Sequence, residues 1–170
     1  IKANKHFVFP TLLYIFENPA VDMNKRLRAE LHSMEKAEAG VTKSNEGGWQ
    51  SRDNLFLEEP FTPLRDFIVN CLAQVLKDNG YREETQIHLT NGWANINNKN
   101  NYNRLHTHGR SDWSIAYYLT DVSKEMGTIF FEDPVAQRFA NGAQGMFIES
   151  PSFENMNTLQ FQHSRLHRTI

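Results

Sequence analysis

The stretch that decides the fold is Trp113-Ser114-Ile115-Ala116-Tyr117-Tyr118-Leu119, a short run dominated by aromatic and aliphatic residues. Such runs, when turn-forming residues bound them, favour β-strands. Four more segments of this kind occur at residues 86–97, 128–131, 146–148 and 158–161, separated by polar, glycine- or proline-containing stretches. No helical pattern intervenes after Gly80. The second half of the chain is therefore predicted to form an antiparallel sandwich or small barrel.

The sequence before this region has helical periodicity. Asn18-Pro19 could start a helix that runs to about Glu38, before Gly40. A preceding run at residues 12–16 is predicted to be extended. Helices first and strands afterwards predict a single domain of the α+β class, mainly β. Residues 1–85 would form a helical support region, and residues 86–170 would form the β core.

A second helix is predicted with defined ends. Thr62 is a candidate N-cap, Pro63 occupies the first helical position, and Asn79-Gly80 terminates the segment. Its broad apolar face consists of Leu64, Phe67, Ile68, Cys71, Leu72, Val75 and Leu76.

Composition excludes several classes of protein. The net charge of −2 is spread along the chain with no basic tract, so the electrostatic pattern of a nucleic-acid binder is missing. The single cysteine, Cys71, excludes an internal disulfide and a thiolate-rich metal site. No apolar run approaches the roughly 20 residues that a membrane-spanning helix requires. We expect a cytoplasmic protein, in the host cytoplasm if a phage encodes it.

Four of the seven histidines lie in two short stretches, His106-Thr107-His108 and His163 to His167. On an extended strand, an H-x-H pair points both imidazoles to one face because side chains alternate with period two. A third imidazole from a distant strand would complete a facial ligand set that leaves metal positions open. Spacing alone is a weak indication, since surface histidines near loops also form this pattern.

The residues that follow the pair strengthen the metal-site interpretation. The strand ending in Tyr118-Leu119 and the segment Gly127-Thr128-Ile129-Phe130-Phe131 come next in the chain. This order resembles the 2-oxoglutarate/Fe(II)-dependent oxygenase superfamily, in which a metal-binding H-x-acid pair precedes such strands. The late segment 158–168 is similar to the superfamily's strand ending in Phe, followed six residues later by the distal histidine ligand. The resemblance implies His167 as a ligand and leaves His163 in a loop.

A narrower resemblance extends over most of the chain, from about Ser44 to Arg168. Its motifs are Gly48-Trp49-Gln50-Ser51, Trp93-Ala94-Asn95, the H-x-H pair and the Tyr-Tyr-Leu strand. Together they resemble an uncharacterised branch of these oxygenases that is common in bacteria and marine phages. Each motif is weak singly, whereas their order and spacing are fairly specific.

The resemblance implies a fold and a reaction. The fold would be a double-stranded β-helix, or jelly roll, with the N-terminal helices packed against it. The reaction would use Fe(II), O2 and the co-substrate 2-oxoglutarate to hydroxylate an unidentified small-molecule or peptidyl substrate, for instance an amino-acid side chain.

The resemblance also implies roles for individual residues. His106 and His167 would take the two histidine positions of the iron site, while His108 stands where the superfamily has Asp or Glu. Either His108 binds iron, or water fills that position, or Asp112 supplies the carboxylate. Tyr118 would bind the distal carboxylate of 2-oxoglutarate.

Further co-substrate contacts are implied with less support from the motifs. Ser114 would line the pocket on the strand face of Tyr118, and Asn95 would lie near the 1-carboxylate. The arginine that relatives use falls beyond Ile170, so we expect the polypeptide to continue. Arg104 or Arg110 could supply the charge instead.

Two loops are candidates for the rim of the site. The asparagine-rich loop 97–103 is predicted to be mobile, with Tyr102 either touching substrate or packing. Trp49 and Gln50 resemble an aromatic anchor on a loop, and the alternative is a tryptophan that covers the core.

Two other functions compete with the oxygenase. One is a cupin-like metalloenzyme with three histidines that does not use 2-oxoglutarate. The other is a non-enzymatic β-sandwich module, such as a phage structural component, in which the histidines are structural. Metal-dependent binding of 2-oxoglutarate distinguishes the oxygenase from the cupin-like metalloenzyme. Metal analysis of the purified protein distinguishes the oxygenase from the non-enzymatic module.

Overall fold

A computed structural model of the protein describes residues 11–17, 20–120, 126–127, 129–132, 147–149 and 158–163. The first described element is strand β1 (Leu13–Glu17), which overlaps the segment predicted to be extended, and helix α1 (Val21–Ala37) follows. The predicted helix start at residues 18–19 lies outside the described residues, and Ala20 is the observed N-cap. Leu27 and Leu31 lie on the buried face of α1.

Helix α2 (Thr62–Asp78) confirms the second predicted helix, with one correction at its start. Phe61 is the N-cap, and Thr62 already has helical dihedral angles. The reason is that two 3-10 turns, Leu55–Leu57 and Glu59–Phe61, lead directly into the helix. Gly80 ends it with a φ of 71°, a conformation that glycine adopts without strain.

The hydrophobic core lies between the helices and the loop region that precedes α2. Helix α2 contributes Leu64, Ile68, Cys71, Leu72 and Val75, and these meet Leu27, Leu31, Trp49, Leu55 and Phe61. Each large apolar side chain buried here stabilises the fold by about 1.5–3 kcal/mol. Burial raises the pKa of the Cys71 thiol, so this cysteine is a neutral core residue.

Two short strand pairs connect the helical region to the site. The strands β2 (Asn45–Glu46) and β3 (Trp49–Gln50) lie on either side of a Gly-Gly turn. Strand β4 (Asn95–Ile96) pairs with β3, and β5 (Tyr102–Asn103) pairs with β2, both antiparallel.

The predicted long strand at residues 86–97 is wrong, because strand structure there covers only Asn95–Ile96. The apolar residues Ile87 and Leu89 pack against the core without joining a ladder. Gly92 instead exchanges backbone hydrogen bonds with the loop that precedes α2, donating to Asp53 and accepting from Leu55, each at 3.0 Å. The apolar residues of this segment are thus explained by burial against the core and not by strand pairing.

The largest described sheet has the order β1–β9–β6, all antiparallel, with β6 at Trp113–Tyr117 and β9 at Thr158–His163. The final strand lies between two earlier ones, with Ile115 opposite Phe161 and Tyr14 on the other side of Phe161. His163 was expected in a loop and is the last residue of β9, paired with Trp113. Strands β7 (Phe130–Glu132) and β8 (Phe147–Glu149) form a separate pair close to the predicted segments.

Strand β6 packs one face against the helices. Trp113, Ile115, Tyr117 and Leu119 contact the core. The Tyr117 hydroxyl donates a 2.6 Å hydrogen bond to Oδ1 of the buried Asn24 in α1. At the other edge of the sheet, Asn79 at the end of α2 donates a 2.8 Å bond to the Tyr14 hydroxyl. These contacts hold the sheet against both helices.

Within the described ranges, no helix combines the length and apolarity needed to cross a membrane.

Candidate functional site

The two imidazoles of the H-x-H pair are neighbours in space. Their ring centroids lie 4.8 Å apart with an interplanar angle of 69°. We expected the pair on an extended strand, but it lies in the irregular segment after β5. A turn follows, in which the backbone N–H of Ser111 donates to the carbonyl of His108 at 3.2 Å. The loop, and not strand alternation, therefore brings the rings together.

The His106 ring is oriented by the backbone. Its Nδ1 lies 2.7 Å from the carbonyl oxygen of Arg104. Because a carbonyl only accepts hydrogen bonds, Nδ1 carries the proton and donates it. In the neutral ring the lone pair is then on Nε2, which is the arrangement that histidine ligands of metals generally adopt. The side chain is exposed, so Nε2 can meet a ligand from solvent.

Arg104, which supplies that carbonyl, is fixed to the β2 region by three contacts. Its backbone N–H donates to Ser44 at 2.8 Å, and its guanidinium donates to the carbonyl of Lys43 at 2.8 Å. Its Nε lies 3.2 Å from Oε1 of Glu46. The guanidinium that we considered for the co-substrate carboxylate is therefore engaged with Glu46, and Arg104 instead orients His106.

His108 is half-buried against an aromatic ring. Its imidazole lies 5.6 Å from the indole of Trp93, with the planes tilted by 30°. Burial lowers the pKa of the His108 imidazole below its ordinary value, and the charge of His106 lowers it further. His108 is therefore neutral over a wider pH range than an exposed histidine, and the neutral form is the one that binds metal.

The separate sequence motifs form one structural unit. Trp49 pairs with Ile96 and Gln50 pairs with Asn95, so the G-W-Q-S motif lies beside the W-x-N motif. The backbone of Ser51 donates to Ala94, and the backbone of Ala94 donates to the Ser51 hydroxyl, both at 3.0 Å. Trp93 then links this strand pair to the H-x-H segment. The order of motifs in the chain thus reflects contacts in the fold.

Trp49 is not a loop anchor. Its side chain is 8 % exposed within the core, and its Nε1 donates to the carbonyl of Glu38 at 3.1 Å. The alternative stated from sequence, a tryptophan that covers the core, is the observed one. Gln50 is also buried, at 4 % exposure, and its Oε1 has no hydrogen-bond partner among the described residues.

The asparagine-rich loop is a hydrogen-bonded turn. The backbone N–H of Asn98 donates to Oδ1 of Asn101 at 2.8 Å, and the backbone N–H of Asn101 returns a 3.0 Å bond to the carbonyl of Asn98. Asn100 has a φ of 72°, which asparagine tolerates better than most residues. Tyr102 is 58 % exposed, so it does not pack.

The predicted co-substrate residues lie in two different sheets, Ser114 on β6 with Tyr118 directly after it, and Asn95 on β4. Ile115 and Tyr117 face the helices, so alternation puts Ser114 on the opposite face of β6. Tyr118, four residues after Ser114, is expected on that same opposite face. Burial raises the pKa of the Tyr118 hydroxyl, which keeps it protonated. Asn95 is exposed on β4, and Asp112 is exposed just before β6.

His167 lies outside the described residues. Among the residues that are described, no group of three or more His, Cys, Asp or Glu side chains is arranged to hold a metal ion. Of the three histidines predicted as metal ligands, His106 and His108 are described. Trp93 and Arg104 were not singled out from sequence as supports of this pair, and no local signal identifies them, since both act through contacts with distant strands.

Comparisons of the chain with protein-family models, with curated proteins and with solved structures gave no match.

Proposed function

We propose that this protein is a 2-oxoglutarate- and Fe(II)-dependent dioxygenase that hydroxylates an unidentified substrate of the small-molecule or peptidyl class. The observation that carries the proposal is the contact between the His106 and His108 rings, with the Nε2 atom of His106 left free by the Arg104 carbonyl. A jelly-roll core and a cytoplasmic location belong to the same proposal.

The donor set fits iron. Imidazole nitrogen suits Fe(II). The hydrogen bond of the His106 Nδ1 leaves Nε2 as the atom available to a ligand, and burial of His108 favours the neutral form of that ring. His108 is proposed as the ligand in place of a carboxylate, with Asp112 as the alternative. A third imidazole would leave the site more positive than a site with one carboxylate, which favours binding of an anionic co-substrate.

His167 is proposed as the third ligand. Strand β9 ends at His163, whose partner Trp113 follows His108 by only five residues. Four more residues lead to His167, and four residues span at most about 14 Å. Chain length is thus compatible with a meeting of His167 and the H-x-H pair.

The co-substrate would be held by residues of β6 and β4. The protonated Tyr118 hydroxyl can donate a hydrogen bond to the distal carboxylate of 2-oxoglutarate, and Ser114 shares its strand face. Asn95 would contact the 1-carboxylate. With iron bound, the chemistry supplied is oxidation of 2-oxoglutarate by O2 to succinate and CO2, with the second oxygen atom inserted into a substrate C–H bond.

Calorimetric titration tests the proposal. Mn(II), which is stable in air, replaces Fe(II), and 2-oxoglutarate is added with and without the metal. We expect binding of 2-oxoglutarate only when the metal is present. His106→Ala and His167→Ala should each abolish metal-dependent binding and the succinate formed with Fe(II), whereas His163→Ala should leave both largely intact. His32→Ala, at an exposed histidine of α1, is the matched control.

Other outcomes identify the rival functions. Metal binding without any effect on 2-oxoglutarate favours the three-histidine metalloenzyme. A protein that takes up neither Mn(II) nor Fe(II) favours the structural module. Equal loss of activity in the His106, His163 and His167 variants contradicts the assignment of His167.

A further inference from the structure

The segment that carries His106 is not held in place by hydrophobic burial. Arg104, Leu105, His106 and Thr107 are all exposed, and even the apolar side chain of Leu105 is 62 % exposed. A segment with so few buried apolar contacts has low local stability unless other interactions fix it. The direction of the His106 ring therefore depends on the hydrogen bonds of the backbone that precedes it.

Those hydrogen bonds lead back to Ser44, the residue before β2. The carbonyl of Ser44 accepts from the backbone N–H of Arg104 at 2.8 Å, and the carbonyl of Arg104 accepts from Nδ1 of His106 at 2.7 Å. The Ser44 hydroxyl accepts a further hydrogen bond from Nδ2 of Asn103 at 3.3 Å. Ser44 thus binds two consecutive residues of the chain, one through its side chain and one through its backbone.

Asn103 is held in turn from the β3–β4 strand pair. Its Oδ1 accepts a 3.2 Å hydrogen bond from Nδ2 of Asn97, the residue that follows β4. Asn97 has room because Gly48, with a φ of 66°, carries no side chain. A Cβ there would lie 2.5 Å from Oδ1 of Asn97. The three side chains of Asn97, Asn103 and Ser44, which we call the asparagine bridge, therefore connect the W-x-N strand to the H-x-H segment.

We propose that Asn103 is a positioning residue for the metal-binding atom of His106. Through Ser44 it fixes the backbone of Arg104, whose carbonyl keeps the ring proton on Nδ1 and leaves Nε2 to face a metal ion. The inference rests on the proposed function only for the ion that would meet Nε2. Residues that orient a ligand histidine in this way influence metal affinity without touching the metal.

The position of the proton on the His106 ring tests this role in the metal-free full chain. Two-bond 1H–15N spectra at about pH 8.5, where histidine rings are neutral, distinguish the Nδ1–H from the Nε2–H tautomer. We expect Nδ1–H for His106 in the wild type. In Asn103→Ala the Nε2–H population should rise about threefold, an effect within the range of one neutral hydrogen bond. Asn98→Ala, the same substitution at an exposed side chain of the same loop, should match the wild type.

A second variant tests whether the effect passes through Ser44. Ser44→Ala removes the hydroxyl that Asn103 binds and keeps the carbonyl that Arg104 binds. Because both substitutions break the same hydrogen bond, the double variant should show the tautomer shift of Asn103→Ala alone and not the sum of two shifts. Calorimetry with Mn(II) should give a dissociation constant about threefold higher for Asn103→Ala than for the wild type or Asn98→Ala.

The outcomes distinguish this inference from the function it rests on. An unchanged tautomer in Asn103→Ala, additive shifts in the double variant, or a shifted tautomer with wild-type Mn(II) affinity overturns the role of Asn103. A lower melting temperature alone does not support it, because loss of stability does not move the proton of a folded ring. If Asn103→Ala does not fold, Ser44→Ala decides by the same spectrum. A wild type that binds no Mn(II) overturns the oxygenase, whereas the tautomer shift still shows whether Asn103 orients the His106 ring.

Discussion

The imidazole of His108 rests against the indole of Trp93, with the ring centroids 5.6 Å apart. This contact joins the W-x-N strand to the H-x-H segment, and it contributes to the partial burial that lowers the pKa of His108. The His106 imidazole is oriented differently, by a hydrogen bond to the backbone carbonyl of Arg104, which is itself bonded to the β2 region. Two histidines two positions apart thus depend on different strands.

Removal of the Trp93 ring should expose His108. In Trp93→Ala we expect the pKa of His108 to rise toward its ordinary value, because the first cause of its lowering is burial. Trp93→Phe keeps an aromatic ring and should retain part of the shift. Titration of the His108 ring protons by NMR in the metal-free protein gives the comparison. An unchanged His108 pKa in Trp93→Ala contradicts the role given to this contact.

The lowered pKa of His108 also predicts how stability depends on pH. The unfolded chain takes up a proton on this histidine at a higher pH than the folded protein does. The contribution of His108 to the free energy of unfolding is therefore complete above the ordinary pKa of histidine, and it declines as the pH falls below that value. Urea unfolding of the metal-free protein at about pH 7.5 and pH 5.5 should show a larger decline for the wild type than for His108→Asn. A decline of equal size in both proteins rejects this contribution.

Arg104 should control metal affinity without touching the metal. Arg104→Met removes the ion pair with Glu46 and loosens the carbonyl that orients His106, so we expect the affinity for Mn(II) to fall by about tenfold. Glu46→Gln should have a smaller effect in the same direction. Arg65→Met, at a surface pair with Asp66, is the matched control. Calorimetry provides the affinities, and a wild-type value for Arg104→Met argues against orientation of His106 through this residue.

Tyr118 is expected to act on the co-substrate and not on the metal. Tyr118→Phe removes one hydrogen bond to the distal carboxylate, and the KM for 2-oxoglutarate should rise by about tenfold. Mn(II) affinity should stay at the wild-type value. Tyr81→Phe serves as the control. Ultraviolet titration should also show that a phenol with a raised pKa in the wild type is absent from Tyr118→Phe, since burial raises the pKa of Tyr118. A shift in metal affinity alone would assign Tyr118 a different role.

The bond between Tyr117 and Asn24 should be important for stability. Tyr117→Phe removes the donor to Oδ1 of a side chain that is only 3 % exposed. We expect a loss of about 1–3 kcal/mol in the free energy of unfolding, because the buried amide is left without this partner. Denaturant unfolding measures it, with Tyr102→Phe at an exposed tyrosine as the comparison. Equal free energies of unfolding for Tyr117→Phe and the wild type would mean that this hydrogen bond makes no net contribution to stability.

Local patterns predicted several elements well. The apolar spacing of α2, with Pro63 at its start and Gly80 at its end, predicted a helix whose observed range is Thr62–Asp78. The aromatic run around Ile115 predicted the strand Trp113–Tyr117. The N-cap was misassigned because the 3-10 turn that ends at Phe61 runs directly into the helix. The Thr-Pro pattern carries no information about that preceding turn.

Other predictions failed where contacts with distant residues decide. The apolar residues of the segment 86–97 pack on the core, and most of that segment forms no strand. The site prediction had the same limit. Spacing identified His106 and His108, but Trp93 and Arg104 become relevant only through distant strands.

The sequence by itself determined helix α2, the strand around Ile115 and the histidine pair, because periodicity and turn residues act over a few neighbouring positions. Tertiary structure alone decided that Trp49 is buried in the core, that Gln50 is buried with an unpaired oxygen and that Trp93 meets His108. Those features depend on which strands pair and in which register, and a one-residue change of register would turn every side chain to the opposite face.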